Sequence, residues 1–196
     1  MDEKIVFVNG REMYDLNCQD HLTKYVTAHI FVEKRTLDKC LNFLKQVKIT
    51  CYEQILEKYF KEKNKPRKKK KLIIFVSDKF ENYRNSFNIL FRNVAKLKFG
   101  IPIKAKKKGL EHNNNQIERY NGKLKDRLKT MRRGFGSFEG AENFLNLYHI
   151  IHNFVNPHQE LKGKTPAEAA EIFIPLKRNK LLNLIKYVRL NHITKR

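Results

Sequence analysis

Three acids in this sequence have the type and setting for joint chemistry. Asp2 stands directly ahead of the apolar run in EKIVFVN, Asp78 follows the run LIIFVS, and Glu118 sits within HNNNQIERYNGKLKDRLKTM. Carboxylates gathered without a thiolate or imidazole set suit hard divalent cations such as Mg²⁺ or Mn²⁺. Two such ions about 4 Å apart can activate an attacking oxygen and steady a leaving one in phosphodiester chemistry. Each acid also has an ordinary reading. Asp2 could be a frayed terminal acid, with Asp15 and Asp20 as weaker substitutes; Asp78 could cap the helix after it; Glu118 could be a solvated surface glutamate. The three cysteines, Cys18, Cys40 and Cys51, are odd in number and lack CxxC spacing. That argues against a disulfide framework and a thiolate zinc site, and fits a reducing compartment. His149 and His152 have no matching carboxylate or third histidine placed beside them, and read as core or helix-face residues.

The acids are far apart in the chain, so the elements between them decide whether they meet. Ile117, Tyr120, Leu124, Leu128 and Met131 recur at helical spacing and predict one amphipathic helix over 112–131. Glu118 borders its apolar stripe, Lys125 lies two turns on along the same side, and Lys129 follows one turn later. The asparagines at 113, 114 and 115 suit the helix entry. Earlier, residues 3–9 end in Asn9-Gly10, a tight-hairpin signal, and 11–18 return as a second strand. A third strand runs through 25–33. Thr36 caps a helix with Leu37, Leu41, Leu44 and Val47 inward, and a second helical pattern covers 52–62. The tract at 63–71, KNKPRKKKK, reads as a solvated basic loop.

Residues 72–76, LIIFV, read as a strand buried on both faces, with Ser77 and Asp78 at its carboxyl end. A helix over 81–92 and a short strand within 94–105 follow. Ser137 caps the next long helix, which Asn156-Pro157 stops. Thr165-Pro166 with Glu168 has capping-box form, and 176–190 is a basic helical pattern. Three antiparallel strands, a helix, a strand, a helix, a strand and then helices match an α/β fold with a ribonuclease-H-like mixed sheet, in which parallel strands follow the antiparallel ones. In that arrangement the first and fourth strands are neighbours and Asp2 meets Asp78, with Glu118 facing them. The domain reading is a catalytic domain over 1–174 and a basic helical C-terminal tail over 175–196.

With 196 residues, of which 41% are hydrophobic, the chain is long enough for one domain with a sizeable core. The formal net charge of +22 favours a polyanionic partner, nucleic acid before an anionic membrane. Part of the lysine excess has a plain alternative in an AT-rich genome, which the wealth of Asn, Ile, Phe and Tyr also suggests. No apolar run approaches the length of a membrane span and no signal-like segment opens the chain, so a cytoplasmic, nucleoid-associated protein is expected.

Taken in order, five segments resemble the DDE transposases of prokaryotic insertion sequences, relatives of the retroviral integrases and their integrase core. Asp2-Glu3, an apolar strand and Asn9-Gly10 resemble that family's DE-x-hydrophobic-NG opening. Val76-Ser77-Asp78 with Tyr83 resembles its V-T/S-D-x₄-Y segment, and the run from Asn113 to Gly122 its N-N-x-x-E-R-x-N-G segment. Lys125 matches the basic residue seven positions beyond the glutamate, and Asn156-Pro157-His158 with Leu161 and Thr165-Pro166 the family's tail. The resemblance spans residues 2 to about 174. It implies two Mg²⁺ or Mn²⁺ ions on Asp2, Asp78 and Glu118, and DNA contacts through Lys125 with Arg119 and Lys129 beside it. It implies hydrolysis at the element's 3′ end, then attack of the new 3′-hydroxyl on target DNA. The implied partners are transposon ends, target DNA and a second copy of the chain, with no membrane and no small-molecule substrate.

Departures from the family pattern set the rival expectations. Asp2 is the second residue, so the strand that usually precedes this acid and the N-terminal DNA-binding domain are expected to be absent. Asp78 and Glu118 are 40 positions apart, a little beyond the family's usual mid-thirties. A catalytically inactive, basic DNA-binding remnant is the main alternative, and a nuclease of RNA–DNA hybrids a third. His112, His158 and the 63–71 tract have no assigned role at this level.

Overall fold

The structure, a computed structural model, describes residues 1–66, 69–100, 115–131 and 134–193, with side chains through residue 190. It divides into two compact units, Met1–Gln19 with Thr27–Ala141, and Asp20–Val26 with Glu142–Arg196.

The first unit opens with strands β1 (Asp2–Val8) and β2 (Arg11–Gln19), paired antiparallel from Val8 opposite Arg11 to Asp2 opposite Asn17. Asn9 and Gly10 both have positive φ, 49° and 74°, the mirror-image turn that matches strand twist. Strand β3 (Val26–Val32) completes a sheet of order β1-β2-β3. Strand alternation sorts β1 into two faces: Asp2, Lys4, Val6 and Val8 on one, Glu3, Ile5 and Phe7 on the other.

Helix α1 (Leu37–Glu62) begins at Thr36, whose side chain accepts from the Lys39 N–H, 3.4 Å. The two helical segments expected here meet at a kink at Cys51, where φ is −133°, and run on as one bent element. No proline or glycine separates them, so the backbone ladder resumes after the bend. Strand β4 (Ile73–Ser77), helix α2 (Glu81–Phe91) and strand β5 (Ala95–Phe99) form a parallel unit in which Ser77 pairs with Phe99. Phe75 meets Phe87 at 5.4 Å and Phe91 at 5.3 Å between ring centroids, so β4 packs on α2 through one face. Burial on both faces does not extend to Ile74, which is exposed. The core of this unit joins Leu16, Phe43, Leu44, Val47, Phe75 and Tyr83.

Three antiparallel strands, then two parallel ones, with flanking helices, make the mixed α/β arrangement expected from the element order. The two ladders are hydrogen-bonded separately and approach at Met1, whose ammonium donates to the Val76 carbonyl at 2.6 Å. Helix α3 (Asn115–Lys129) packs on β1 through a stripe of Ile117, Tyr120 and Leu124. Its start falls at Asn115; the expected entry at His112, Asn113 and Asn114 lies outside the described residues. Beyond α3, Phe135 donates to the Phe7 carbonyl at 2.9 Å and accepts from Asn9 at 2.8 Å. These bonds fasten the chain leaving α3 to the far end of β1. Ser137 caps helix α4 (Phe138–Phe154), its hydroxyl accepting from Gly140 N–H at 3.0 Å.

The 63–71 tract is more ordered at its ends than a solvated loop requires. Buried Glu62 accepts from Lys65 Nζ at 2.7 Å and from the Lys71 N–H at 2.9 Å, while residues 67 and 68 lie outside the described set.

In the second unit, Asn153 pairs with the Val26 backbone through both amide atoms, 2.9 and 3.0 Å. His149 is buried, and His152 Nε2 lies 2.9 Å from the Lys24 carbonyl. A 3₁₀ turn at Gln159–Leu161 leads to the short helix α5 (Pro166–Ala169), where Thr165 and Glu168 cap each other reciprocally. Helix α6 (Lys180–Ile193) follows. No helix among the described residues is long and apolar enough to cross a membrane.

Candidate metal centre

Asp2 begins β1, and Asp78 comes one residue after β4 ends. The Met1–Val76 hydrogen bond joins these strand ends, so the two carboxylates come near each other although they are far apart in sequence. Their charges interact. Burial pushes the Asp2 carboxyl above its usual value and Asp78 adds to the push; the Glu3 N–H, the Asn121 amide and the N-terminal ammonium pull the other way.

Helix α3 reaches this pair through Asn121. Its Nδ2 donates to Asp2 Oδ2 at 2.9 Å, and its Oδ1 accepts from Asn17 Nδ2 at 3.0 Å. The second bond fixes which way the amide faces, so Asn121 presents an N–H to the acid. Asn121 stands three positions after Glu118 and four before Lys125, which puts all three on one strip of the helix. Glu118 is therefore about 5 Å along the axis from the residue that touches Asp2. Its side chain is exposed.

Asp78 Oδ1 and Glu3 Oε2 are buried without a hydrogen-bond partner. A buried carboxylate oxygen left open is costly unless something cationic meets it. Oxygen donors alone, with Asp78 Oδ1 open, fit a hard divalent cation. Asp2 and Asp78 would hold it; Glu118 stands exposed on α3, one turn from Asn121.

The substitutes weighed for Asp2 are engaged elsewhere. Asp15 is fully buried with Oδ1 3.1 Å from His29 Nδ1. Asp20 Oδ2 accepts from the backbone N–H groups of Leu22 and Thr23 and from the Thr23 hydroxyl, as a turn residue does.

Of the basic residues, Lys125, Arg119 and Lys129 are all exposed on α3, and Lys129 pairs with Asp126 at 3.1 Å. By helical angle Lys129 shares the Glu118 strip and Arg119 lies about 100° away. Sequence reasoning missed Lys4. It lies two residues along β1 from Asp2, on the same face, and Lys125 is one turn along α3 from Asn121. Helix α3 packs on β1, and the Lys125 charge acts on Lys4. Burial first, then the Lys125 charge, lowers the Lys4 pKa, while Asp2 opposes them. The signal for Lys4 was present, since alternate residues of a strand share a face. Asn121 was equally legible from its spacing to Glu118. Glu3 and its partner Arg35 were not, because nothing local ties residue 3 to the connection before α1. His112 lies outside the described residues.

Glu3 gives a pH prediction. Burial, then the Asp78 charge, lifts its carboxyl from 4.5 to about 7, against the pull of Arg35. Its folded pKa is raised, so the native state holds the proton more tightly than the unfolded chain does. That contribution to stability is complete below about pH 4.5 and is lost as pH rises to about 7. Metal-free protein in chelator should therefore melt at progressively lower temperature from pH 5 to 8. Glu3→Gln should flatten that slope. An unchanged slope in the variant would assign it to other groups.

No family model matches the sequence, and no curated protein matches it. Among solved structures, the catalytic core domain of BIV integrase is similar over 85% of this chain and 90% of that one, with 17% sequence identity and a TM-score of 0.46.

Proposed function

We propose that this chain is the catalytic domain of an insertion-sequence transposase, cutting DNA strands and joining their 3′ ends to target DNA. The observation that carries the reading is the approach of Asp2 and Asp78, with Asn121 tying Asp2 to the helix that bears Glu118. Divalent ions bound there would supply Lewis-acid activation of the attacking oxygen and charge stabilisation of the leaving one. The chain's own residues supply the rest. Asn17 orients the Asn121 amide, and that amide orients Asp2. Lys4 and Lys125, whose charges act on each other beside Asp2, suit a backbone phosphate of the bound strand. The reaction is hydrolysis, in which water displaces a 3′-oxygen from phosphorus, followed by attack of the freed 3′-hydroxyl on a target phosphodiester, whose own 3′-oxygen leaves and takes up a proton. Action on two element ends calls for two sites, so we read the working form as a homo-oligomer on DNA.

The test is purified chain with Mn²⁺ and a pre-nicked element end. Joined product that disappears in Glu118→Gln supports the transposase. DNA binding with no product under any metal leaves the inactive remnant, and cleavage of an RNA–DNA hybrid but not of duplex DNA points to the hybrid nuclease. A quantitative companion concerns Lys4. Lys4→Ala should weaken DNA binding uniformly across sequences and lower the slope of log K against log salt by about 1, as should Lys125→Ala. An unaltered slope for Lys4→Ala would remove it from the phosphate contacts.

A further inference from the structure

Glu3 follows Asp2 in sequence but lies on the opposite face of β1. Its Oε1 accepts from the Arg35 guanidinium and its Oε2 is buried without a partner. Among the charges acting on Glu3, that of Asp78 is the largest, that of Arg35 opposes it, and that of Asp2 comes next. Three carboxylates thus crowd one place, and Arg35 is the cation paired with the one that sits between the other two in chain and charge.

Arg35 is unusually well fixed for a half-buried side chain. Its guanidinium lies over the Tyr14 ring at 4.7 Å and over the Phe80 ring at 4.6 Å. Its carbonyl accepts from Asn82 Nδ2 at 2.8 Å. Phe80 stands two residues beyond Asp78 and meets the Tyr83 ring edge-on at 5.6 Å. The guanidinium therefore spans β1, β2 and the turn that carries Asp78. Stacking on two rings and a charge-assisted hydrogen bond restrain it in one orientation.

We propose that Arg35 is a positioning residue for the cation site: it is the fixed counter-charge that keeps the Glu3 carboxylate out of the ligand set of Asp2 and Asp78. This rests on the metal-dependent reading given above. Without Arg35, Glu3 is a buried carboxylate with both oxygens open beside two acids, and the nearest way to satisfy it is the ion itself. An ion drawn toward Glu3 is bound but misplaced for the reaction, and small misplacements are expensive in rate.

The experiment uses the full chain and two readouts: Mn²⁺ binding without DNA, followed by electron paramagnetic resonance, and the cleavage rate at saturating Mn²⁺. Arg35→Gln should bind Mn²⁺ at least as tightly as the wild type and cut at least about tenfold more slowly. Arg35→Lys keeps the charge and should stay within about threefold of wild type, as should Glu3→Gln, whose amide oxygen still accepts from Arg35. The double variant Arg35→Gln, Glu3→Gln leaves no carboxylate unpaired and should recover to within about threefold.

If Arg35→Lys and the double variant are as slow as Arg35→Gln, the arginine serves packing alone and the proposal is overturned. Loss of Mn²⁺ binding in Glu3→Gln would make Glu3 a ligand, and wild-type cutting by Arg35→Gln would make Arg35 dispensable; either overturns it. A wild type that binds no Mn²⁺ and cuts nothing removes the metal-dependent reading and this one together. A wild type that does both, matched by Arg35→Gln, removes only this one.

Discussion

Asp78→Asn is expected to abolish Mn²⁺-dependent DNA cleavage, by about a thousandfold or more, while leaving the metal-free protein at least as stable as before. The first half follows from losing one carboxylate of the proposed cation site. A bound divalent ion supplies several kcal/mol of transition-state stabilisation, and about 4 kcal/mol corresponds to a thousandfold in rate. The second half follows from the surroundings. Asp78 Oδ1 is buried without a partner, and its charge raises the pKa of both Asp2 and Glu3. Removing that charge with an isosteric amide relieves repulsion in the empty site. An essential structural residue would behave oppositely, losing stability together with activity. The check is single-turnover cleavage at saturating Mn²⁺ beside thermal melting in chelator. Glu118→Gln should show a comparable loss of rate, and its exposed position predicts little change in melting. Cleavage by Asp78→Asn at the wild-type rate would end the metal-centred reading.

The second large effect is structural and lies at the other end of β1. Gly134 has φ of 70°, and a Cβ built there would stand 2.5 Å from the Phe7 carbonyl oxygen. That carbonyl accepts from Phe135 N–H and cannot swing away without breaking the bond. Gly134→Ala adds a left-handed backbone penalty of about 1–2 kcal/mol to a clash with fixed backbone, for a total of about 2–4 kcal/mol. Gly10 supplies the control. Its φ is 74°, but nothing lies within 4 Å of its would-be Cβ. Gly10→Ala should therefore show the backbone penalty alone, about 1–2 kcal/mol. Denaturant titrations of the two variants measure the difference. Equal destabilisation would mean that the chain leaving α3 relaxes freely. A real difference would show that β1 and α3 are held together at Phe7 and Phe135. That joint also helps hold Asn121 against Asp2.

The elements were legible in the sequence because each is written in local chemistry. Asn9-Gly10 needs two left-handed residues, and both have them. Thr165 and Glu168 form their capping box within four residues. The stripe of Ile117, Tyr120 and Leu124 repeats at the helix period, so α3 and its buried face follow from spacing alone. Even Lys4 and Asn121 could be found, since strand alternation and the helical angle put them beside Asp2 and Glu118. The kink at Cys51 falls where the helical pattern divides, just before the second segment at 52–62, although no breaker residue marks it.

What local chemistry could not supply is the pairing of distant groups. Whether Asp2 meets Asp78 depends on how two separately hydrogen-bonded ladders approach, which the Met1–Val76 bond reports and no short segment encodes. The Arg35–Glu3 pair joins residues 32 positions apart through rings from two further elements. Likewise, the open oxygens of Asp78 and Glu3 follow from burial, which is a property of the packed molecule. By itself the sequence determined the helices, strands, turns and the set of acids worth watching, since those follow from interactions over a few residues. Only the tertiary structure decided which carboxylates share one desolvated place and which cation is paired with them, because burial and charge act through space between segments that the chain order leaves far apart.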